Sequence, residues 1–389
     1  MFRINIYLSV LVFIKSIFFS YSLKKDKLSK DILKNSSKKK HVLFTSLCRV
    51  SFMLILMFLK KKFPKKNEII MTAYNLPEMI NVARNLKYKI VFCDIDYNTG
   101  FINLKDIKKK INKNTITILL TNMFNNYKAA EKIKKICSAR KVFLIEDNAI
   151  YFDNFSKIDS KKINSGYLGD FTIYSFNIMK NISALYGGAV ATNNREFYEY
   201  AKNKIKYFKS FPSFLILKQS IIFFILKMLS NKFLYKMFFF KIIKFINFHK
   251  INFFLKLFYP SLRFKKISFP KYYFSNMSNF SKNLVYYQLA NVKIRRNNYE
   301  RRRWKNIYYN KKLKKIRSKN FQVLKIDDIN YQNFIDFPIL TNNNIKLNEY
   351  LLRCGIETRL YYYNNCEKIF LQQSKNCKNS ELFLSLIHI

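Results

Sequence analysis

Residues 169–194 read GDFTIYSFNIMKNISALYGGAVATNN. DFTIYSFN and GGAVATNN have the β-branched and aromatic content of buried strands, and between them lies one lysine, Lys180, among small and amide side chains. The chain has only six glycines, and Gly166, Gly169, Gly187 and Gly188 cluster in and just before this stretch. Where composition disfavours glycine, such a cluster marks backbone that side chains would obstruct. Lys180 follows the apolar run Phe171–Phe176, so it is expected to project from a strand end into a crevice. A lysine that attacks carbonyls must be partly neutral, which requires burial or nearby positive charge to lower its ordinary pKa of about 10.4.

A second strand signal points to the same place. KVFLIEDNA runs an apolar segment, Phe143–Ile145, straight into Glu146 and Asp147, in a chain with few carboxylates. A carboxylate at a buried strand's end needs a partner or water. Outward from these two stretches, apolar and amphipathic segments alternate from His41 to about Lys209. HVLFTS precedes a helix from Val50, NEIIMTA precedes Pro77–Lys87, KIVFCDID precedes Leu104–Ile111, and TITILLTNM precedes a helix around Ala129–Arg140. Strands joined by helices, with connections too long for hairpins, predict an α/β domain with a mainly parallel sheet. In such sheets ligands gather at the carboxyl ends of the strands.

Lys and Arg number 72 against 23 Asp and Glu, a formal charge of +49. The excess is spread through every segment and forms no single stripe, and Lys, Asn, Ile, Phe and Tyr are inflated together. That pattern fits biased composition at surface positions better than specific nucleic-acid binding. The six cysteines form no C-x-x-C pair and no zinc-ligand spacing, and read as reduced thiols of a cytoplasmic protein.

Five segments are expected. Residues 1–40 form an N-terminal arm that is either interfacial or packed on the domain; Lys15 splits its apolar run, and no small-residue cleavage site stands out. Residues 41–204 form the large domain. Residues 205–265 are a hydrophobic, basic helical insert whose lysines keep every uncharged run below a membrane span. Within it, 205–262 reads either as a peripheral membrane contact or as a helical pair that caps the domain or packs on a partner subunit. Residues 266–312 carry a long basic connecting helix, and 313–389 form a smaller α+β domain.

Together these residues resemble the DegT-type sugar-nucleotide aminotransferases, a branch of the fold-type-I pyridoxal phosphate enzymes. The likeness runs from about Lys40 to the C-terminus. It is most specific in Gly169-Asp170, the strand, Ser175-Phe176, Lys180-Asn181 and Gly187-Gly188, with Glu146-Asp147 ahead of it. NEIIMTAYNLPEMINVARNLKYKIVFCDID, QLANVKIRRNNYERR and GIETR extend it. The resemblance implies that Lys180 holds pyridoxal 5'-phosphate as a Schiff base and shuttles protons, that Asp147 pairs with the pyridinium, and that Ser175 binds phosphate. It further implies a nucleotide-linked keto-deoxy sugar as substrate, glutamate as donor, and a homodimer.

The sequence also departs from the family pattern. Leu47-Cys48-Arg49 stands where the phosphate turn has a glycine, and Arg49 is the expected compensating charge. Leu76 stands where an aromatic ring stacks on the cofactor, with Tyr74 the nearby substitute. Ile150 replaces a glutamine, Phe274 replaces an asparagine lent by the neighbouring subunit, with Asn276 close by, and the chain stops at Ile389 short of a final helix and strand. These departures keep a second expectation open, a non-catalytic, membrane-associated scaffold on the same fold. A third is a membrane or nucleic-acid binder driven by charge. Sugar 3-dehydration is disfavoured, because that subgroup carries histidine in place of the lysine.

Overall fold

The computed structural model describes residues 6–124, 127–150, 152, 157–158, 161–162, 166–249, 268–316, 318–325, 335–360, 363–372 and 376–388. Residues 250–265 of the expected insert, and Tyr361 and Tyr362 of the GIETRLYYY run, lie outside them. The strands are β1 (His41–Thr45), β2 (Glu68–Thr72), β3 (Tyr74–Asn75), β4 (Lys89–Cys93), β5 (Thr115–Thr121), β6 (Phe143–Asp147), β7 (Lys157–Ile158), β8 (Lys161–Lys162), β9 (Phe171–Ser175) and β10 (Gly188–Thr192). Seven of them make one sheet in the order β1-β10-β9-β6-β5-β2-β4. The pairs β2·β4, β2·β5, β5·β6 and β6·β9 are parallel, while β10 is antiparallel to both neighbours. The sheet is therefore mainly parallel, as expected, with one reversed strand. Central strands such as β5, TITILLT, are buried on both faces, which is why they read as continuous apolar runs.

Helices cover the sheet. The N-terminal arm supplies α1 (Val10–Phe18) and α2 (Leu23–Ser37), and the large domain α3 (Cys48–Lys62), α4 (Pro77–Asn85), α5 (Leu104–Lys110), α6 (Tyr127–Ala139) and α7 (Arg195–Lys206). α3 is buried almost throughout until Lys60–Lys62, and its side chains pack with β2, β9 and α4 in the largest core cluster. A helix apolar on every side belongs in such a sandwich. The arm packs on the domain: Leu33 of α2 is buried, and Lys25 reaches Asn283 and Tyr287 at 3.3 Å each.

The expected single connecting helix is two, Asn279–Ala290 and Val292–Leu313. Asn291 breaks them. Its backbone is extended and its side chain accepts the Ile294 amide, the behaviour of an N-cap asparagine. Beyond them β11 (Phe321–Val323), β12 (Pro338–Thr341) and β14 (Leu386–His388) form a small antiparallel sheet, and β13 (Asn364–Asn365) pairs with β3. Asp94, just after β4, accepts from the Asn379 amide and from the Ser380 amide and hydroxyl, tying the C-terminal segment to the large domain.

Candidate active site

β9 and β10 pair in register, Ser175 opposite Gly188, so residues 176–187 form an excursion at the sheet's carboxyl edge with Lys180 on it. The excursion is held by its neighbours. The Lys180 amide donates to Asn177 O at 2.9 Å, and Asn181 Nδ2 donates to Phe152 O at 2.6 Å. Gln288 exchanges two bonds with Ser183, accepting its amide at 3.0 Å and donating to its carbonyl at 2.6 Å, while Asn298 Nδ2 reaches Asn181 O at 2.8 Å. Arg302, 1% exposed, donates to Ile150 O at 3.1 Å and to Met179 O at 3.3 Å. One guanidinium thus joins the segment after Asp147 to the residue before Lys180.

Side chains alternate along β6, and its two terminal carboxylates have separate surroundings. Glu146 accepts the Gly169 amide at 2.6 Å and sits beside the buried Lys39, whose Nζ donates to Tyr167 O at 2.9 Å and to Gly169 O. Asp147, 4% exposed, accepts the Ala149 amide at 3.0 Å and lies within electrostatic reach of Lys180. Burial pushes the Asp147 carboxyl up to about 6, against the opposing effects of the Ala149 amide and Lys180. Burial pulls the Lys180 amine down to about 8; Asp147 and Cys48 resist that fall, and Arg302 and Arg359 add to it. An acid raised and a base lowered within electrostatic reach of each other is an arrangement typical of a functional site.

The turn after β1 completes this edge. Thr45 pairs with Gly188, so the start of α3 lies beside the end of β9. Ser46 is fully buried and its hydroxyl has no hydrogen-bond partner among the described residues, and the N-cap of α3, Leu47, gives it no side-chain cap. Leu47 has φ −151°, extended backbone open to any residue, so the missing glycine imposes no strain here. The space comes instead from Gly188, where a Cβ would lie 2.4 Å from the Cys48 nitrogen and 2.5 Å from the Leu47 carbonyl carbon. Gly188→Ala is accordingly expected to cost roughly 1–3 kcal/mol by overpacking, read as a lower urea midpoint. An unchanged midpoint would mean that the turn backs away freely.

Ser175 therefore shares this edge with Lys180, Asp147 and the turn. Arg49 sits at the same turn but is directed to Glu78 at 3.9 Å and the Tyr273 ring at 5.9 Å. Tyr74, the expected stacking ring, is 2% exposed and packs against Tyr363 and Phe383, each 5.3 Å away between ring centres. Asn276 donates to Phe208 O within its own chain. The sequence reading missed Ser46 and Arg302. A hydroxyl directly before a helix start was the available signal for Ser46, whereas Arg302 stands in a run of three arginines with nothing local to single it out.

The sequence profile of the DegT/DnrJ/EryC1/StrS aminotransferase family matches residues 18–211. The chain is 31% identical over 172 residues to an uncharacterized protein, MJ1066, of Methanocaldococcus jannaschii, covering 44% of this chain and 43% of that one. It is 29% identical over 133 residues to a GDP-perosamine synthase of Escherichia coli O157:H7, covering 34% and 35%. The alignments thus span less than half of these curated relatives. Among solved structures, the Helicobacter pylori aminotransferase PseC superposes with a TM-score of 0.65 at 18% identity, over 97% of this chain and 89% of that one, and shares the fold-type-I architecture. Through residues 18–211, the segment that carries Lys180, Asp147 and the turn before α3, the chain belongs to the DegT/DnrJ/EryC1/StrS aminotransferase family.

Proposed function

We propose that this protein is a pyridoxal phosphate-dependent aminotransferase that places an amino group on a nucleotide-linked keto-deoxy sugar, with glutamate as donor, for surface polysaccharide assembly. The observation that carries the reading is that Asp147 at the end of β6 and Lys180 on the excursion after β9 lie within electrostatic reach of each other, the amine lowered to about 8 and the carboxyl raised to about 6. The residues present fit the cofactor. The unpartnered Ser46 hydroxyl, the uncapped start of α3 and the room left by Gly188 suit a phosphate, which helix N-termini favour.

When bound, pyridoxal phosphate supplies a carbonyl carbon and an electron sink. Lys180 would hold it through Nζ, then take the proton from the donor's α-carbon and return it elsewhere. Asp147 would keep the pyridine nitrogen protonated. Ser46 and the α3 amides, with Ser175 beside them, would bind the phosphate. Arg302 and Arg359, whose charges already reach Lys180, provide a positive field suited to the donor's carboxylates or the nucleotide's diphosphate. The chain is taken to act as a homodimer.

The test combines the purified chain, pyridoxal phosphate and glutamate with nucleotide-linked 4-keto-6-deoxy sugars, and products are identified by mass spectrometry. The expected product is the amino sugar, formed only with glutamate, and light scattering should give the mass of a dimer. Loss of a ring hydroxyl without nitrogen gain would instead indicate dehydration, the activity named for relatives from E. coli O55:H7 and Yersinia pseudotuberculosis. Absence of any cofactor absorbance would overturn the proposal and favour a non-catalytic scaffold.

A further inference from the structure

The helix α8 (Ser213–Leu229) and the helical segment that follows it, Lys232–Phe248, take no part in the site described above. α8 is apolar on both sides. Its inner face buries Phe223, which stacks on Phe13 of α1 at 5.1 Å, and half-buries Ile216 and Ile222 against the same cluster. Its outer face exposes Phe214, Leu217, Ile221, Phe224, Ile225 and Met228, spaced three and four residues apart along one stripe. A helix on the water-facing surface of a globular protein carries polar residues there.

The following segment repeats the arrangement. Tyr235 is buried and donates to Glu357 at 3.2 Å, and Ile243 packs with Leu226 and Leu229 of α8. These contacts turn Phe233, Met237, Ile242 and Phe245 outward, all at least 45% exposed. α1, entered by a segment whose Leu8 carbonyl accepts from Lys227 Nζ of α8 at 2.9 Å, exposes Leu11, Ile14, Ile17 and Phe18. α8, in contact with both α1 and the following segment, thus joins three elements that each present an apolar row to solvent.

The charges interspersed along these rows are all of one sign. Lys15, Lys218, Lys236 and Lys241 are exposed among the rows. No carboxylate occurs in the sequence before Asp26, nor anywhere between Glu199 and Glu300. A surface meant for another protein's mixed charges, or for water, would not exclude acids so completely. An anionic lipid surface is matched by both features, apolar side chains for the acyl boundary and lysines for the phosphates. Among the described residues no helix is long and apolar enough to cross a membrane, so the match is to a bilayer's surface and not its interior.

We propose that this face, formed by α1, α8 and Lys232–Phe248, docks the protein on an anionic phospholipid bilayer, with its helices lying in the headgroup plane. The test is flotation of the full chain with vesicles of phosphatidylcholine alone and of equal parts phosphatidylcholine and phosphatidylglycerol. The chain is expected to float with the mixed vesicles, to stay behind with phosphatidylcholine alone, and to be partly released by high salt. The triple variant Phe214→Ser, Ile221→Ser, Ile225→Ser changes only exposed positions and should lower vesicle partitioning at least ~tenfold. The variant Lys218→Glu, Lys241→Glu keeps the apolar rows and should lose the preference for anionic lipid. The proposal fails if the parent does not float with mixed vesicles, or if the triple variant floats as well as the parent. It also fails if hydrogen exchange without lipid shows α8 protected in a dimer that vesicles do not displace, which would assign the face to a second copy.

Discussion

Lys180→Ala is expected to give a folded protein that loses the selective covalent label from pyridoxal phosphate near neutral pH and whose turnover falls by at least ~10³-fold. Folding should survive because the excursion is held by groups other than the Lys180 side chain: Gln288 on Ser183, Asn298 on Asn181 and Arg302 on Met179. Borohydride reduction of the parent, followed by peptide mass spectrometry, should place a pyridoxyl adduct on the peptide carrying Lys180. With so many lysines on the chain, selectivity is the informative part of this result. Only a lowered amine has a substantial neutral fraction near neutral pH, and burial lowers Lys180 to about 8. The rate of adduct formation should therefore rise with pH and level off above about 8, while surface lysines continue to gain reactivity toward their ordinary range near 10.4. Labelling spread evenly over surface lysines, or retained in the variant, would remove the basis for the proposed mechanism.

The strands, and the site edge they create, were legible because their physics is local. Buried parallel strands are apolar throughout, helices alternate with them, and glycine scarcity drew attention to Gly187 and Gly188 beside Lys180. The connecting region was harder. The inward row of Val292–Leu313 holds Asn298, Arg302, Asn306 and Asn310, so a search for apolar periodicity had nothing to follow there. Asn298 and Arg302 face inward because they satisfy backbone carbonyls of the Lys180 excursion and its neighbours, partners more than a hundred residues away. The surroundings of Tyr74 were hidden for a related reason: Tyr363 and Phe383, which pack against its ring, are distant in sequence. Leu47 read as damage to a phosphate turn, yet the close approach depends on a glycine one strand over, Gly188, whose pairing with Thr45 only the sheet order discloses.

Asp147→Asn separates charge from shape at the same site. The amide keeps an oxygen for the Ala149 N–H and nearly the same volume, so the local fold should persist. The stability effect follows from the direction of the shift. Burial holds the folded carboxyl near 6, above its ordinary value of about 3.9, so the folded state holds more protons than the unfolded state between those two values. Stability contributed by this group is present below that window and is lost as pH rises through it, so at pH 7 the variant should be no less stable than the parent in urea. Function should change the other way. Without an acid facing the pyridine nitrogen the electron sink weakens, and turnover should drop by ~10²–10⁴-fold while Lys180 still takes the covalent label. The lysine supplies a second readout. Asp147 opposes the lowering of the Lys180 amine, so removing its charge should move the midpoint of labelling to more acid pH, whereas Arg302→Gln, which removes a lowering charge, should move it to more alkaline pH. Opposite displacements of one titration by two substitutions would tie both groups to the Lys180 nitrogen by charge. A midpoint that stays fixed in both would mean that their proximity to Lys180 has no chemical consequence.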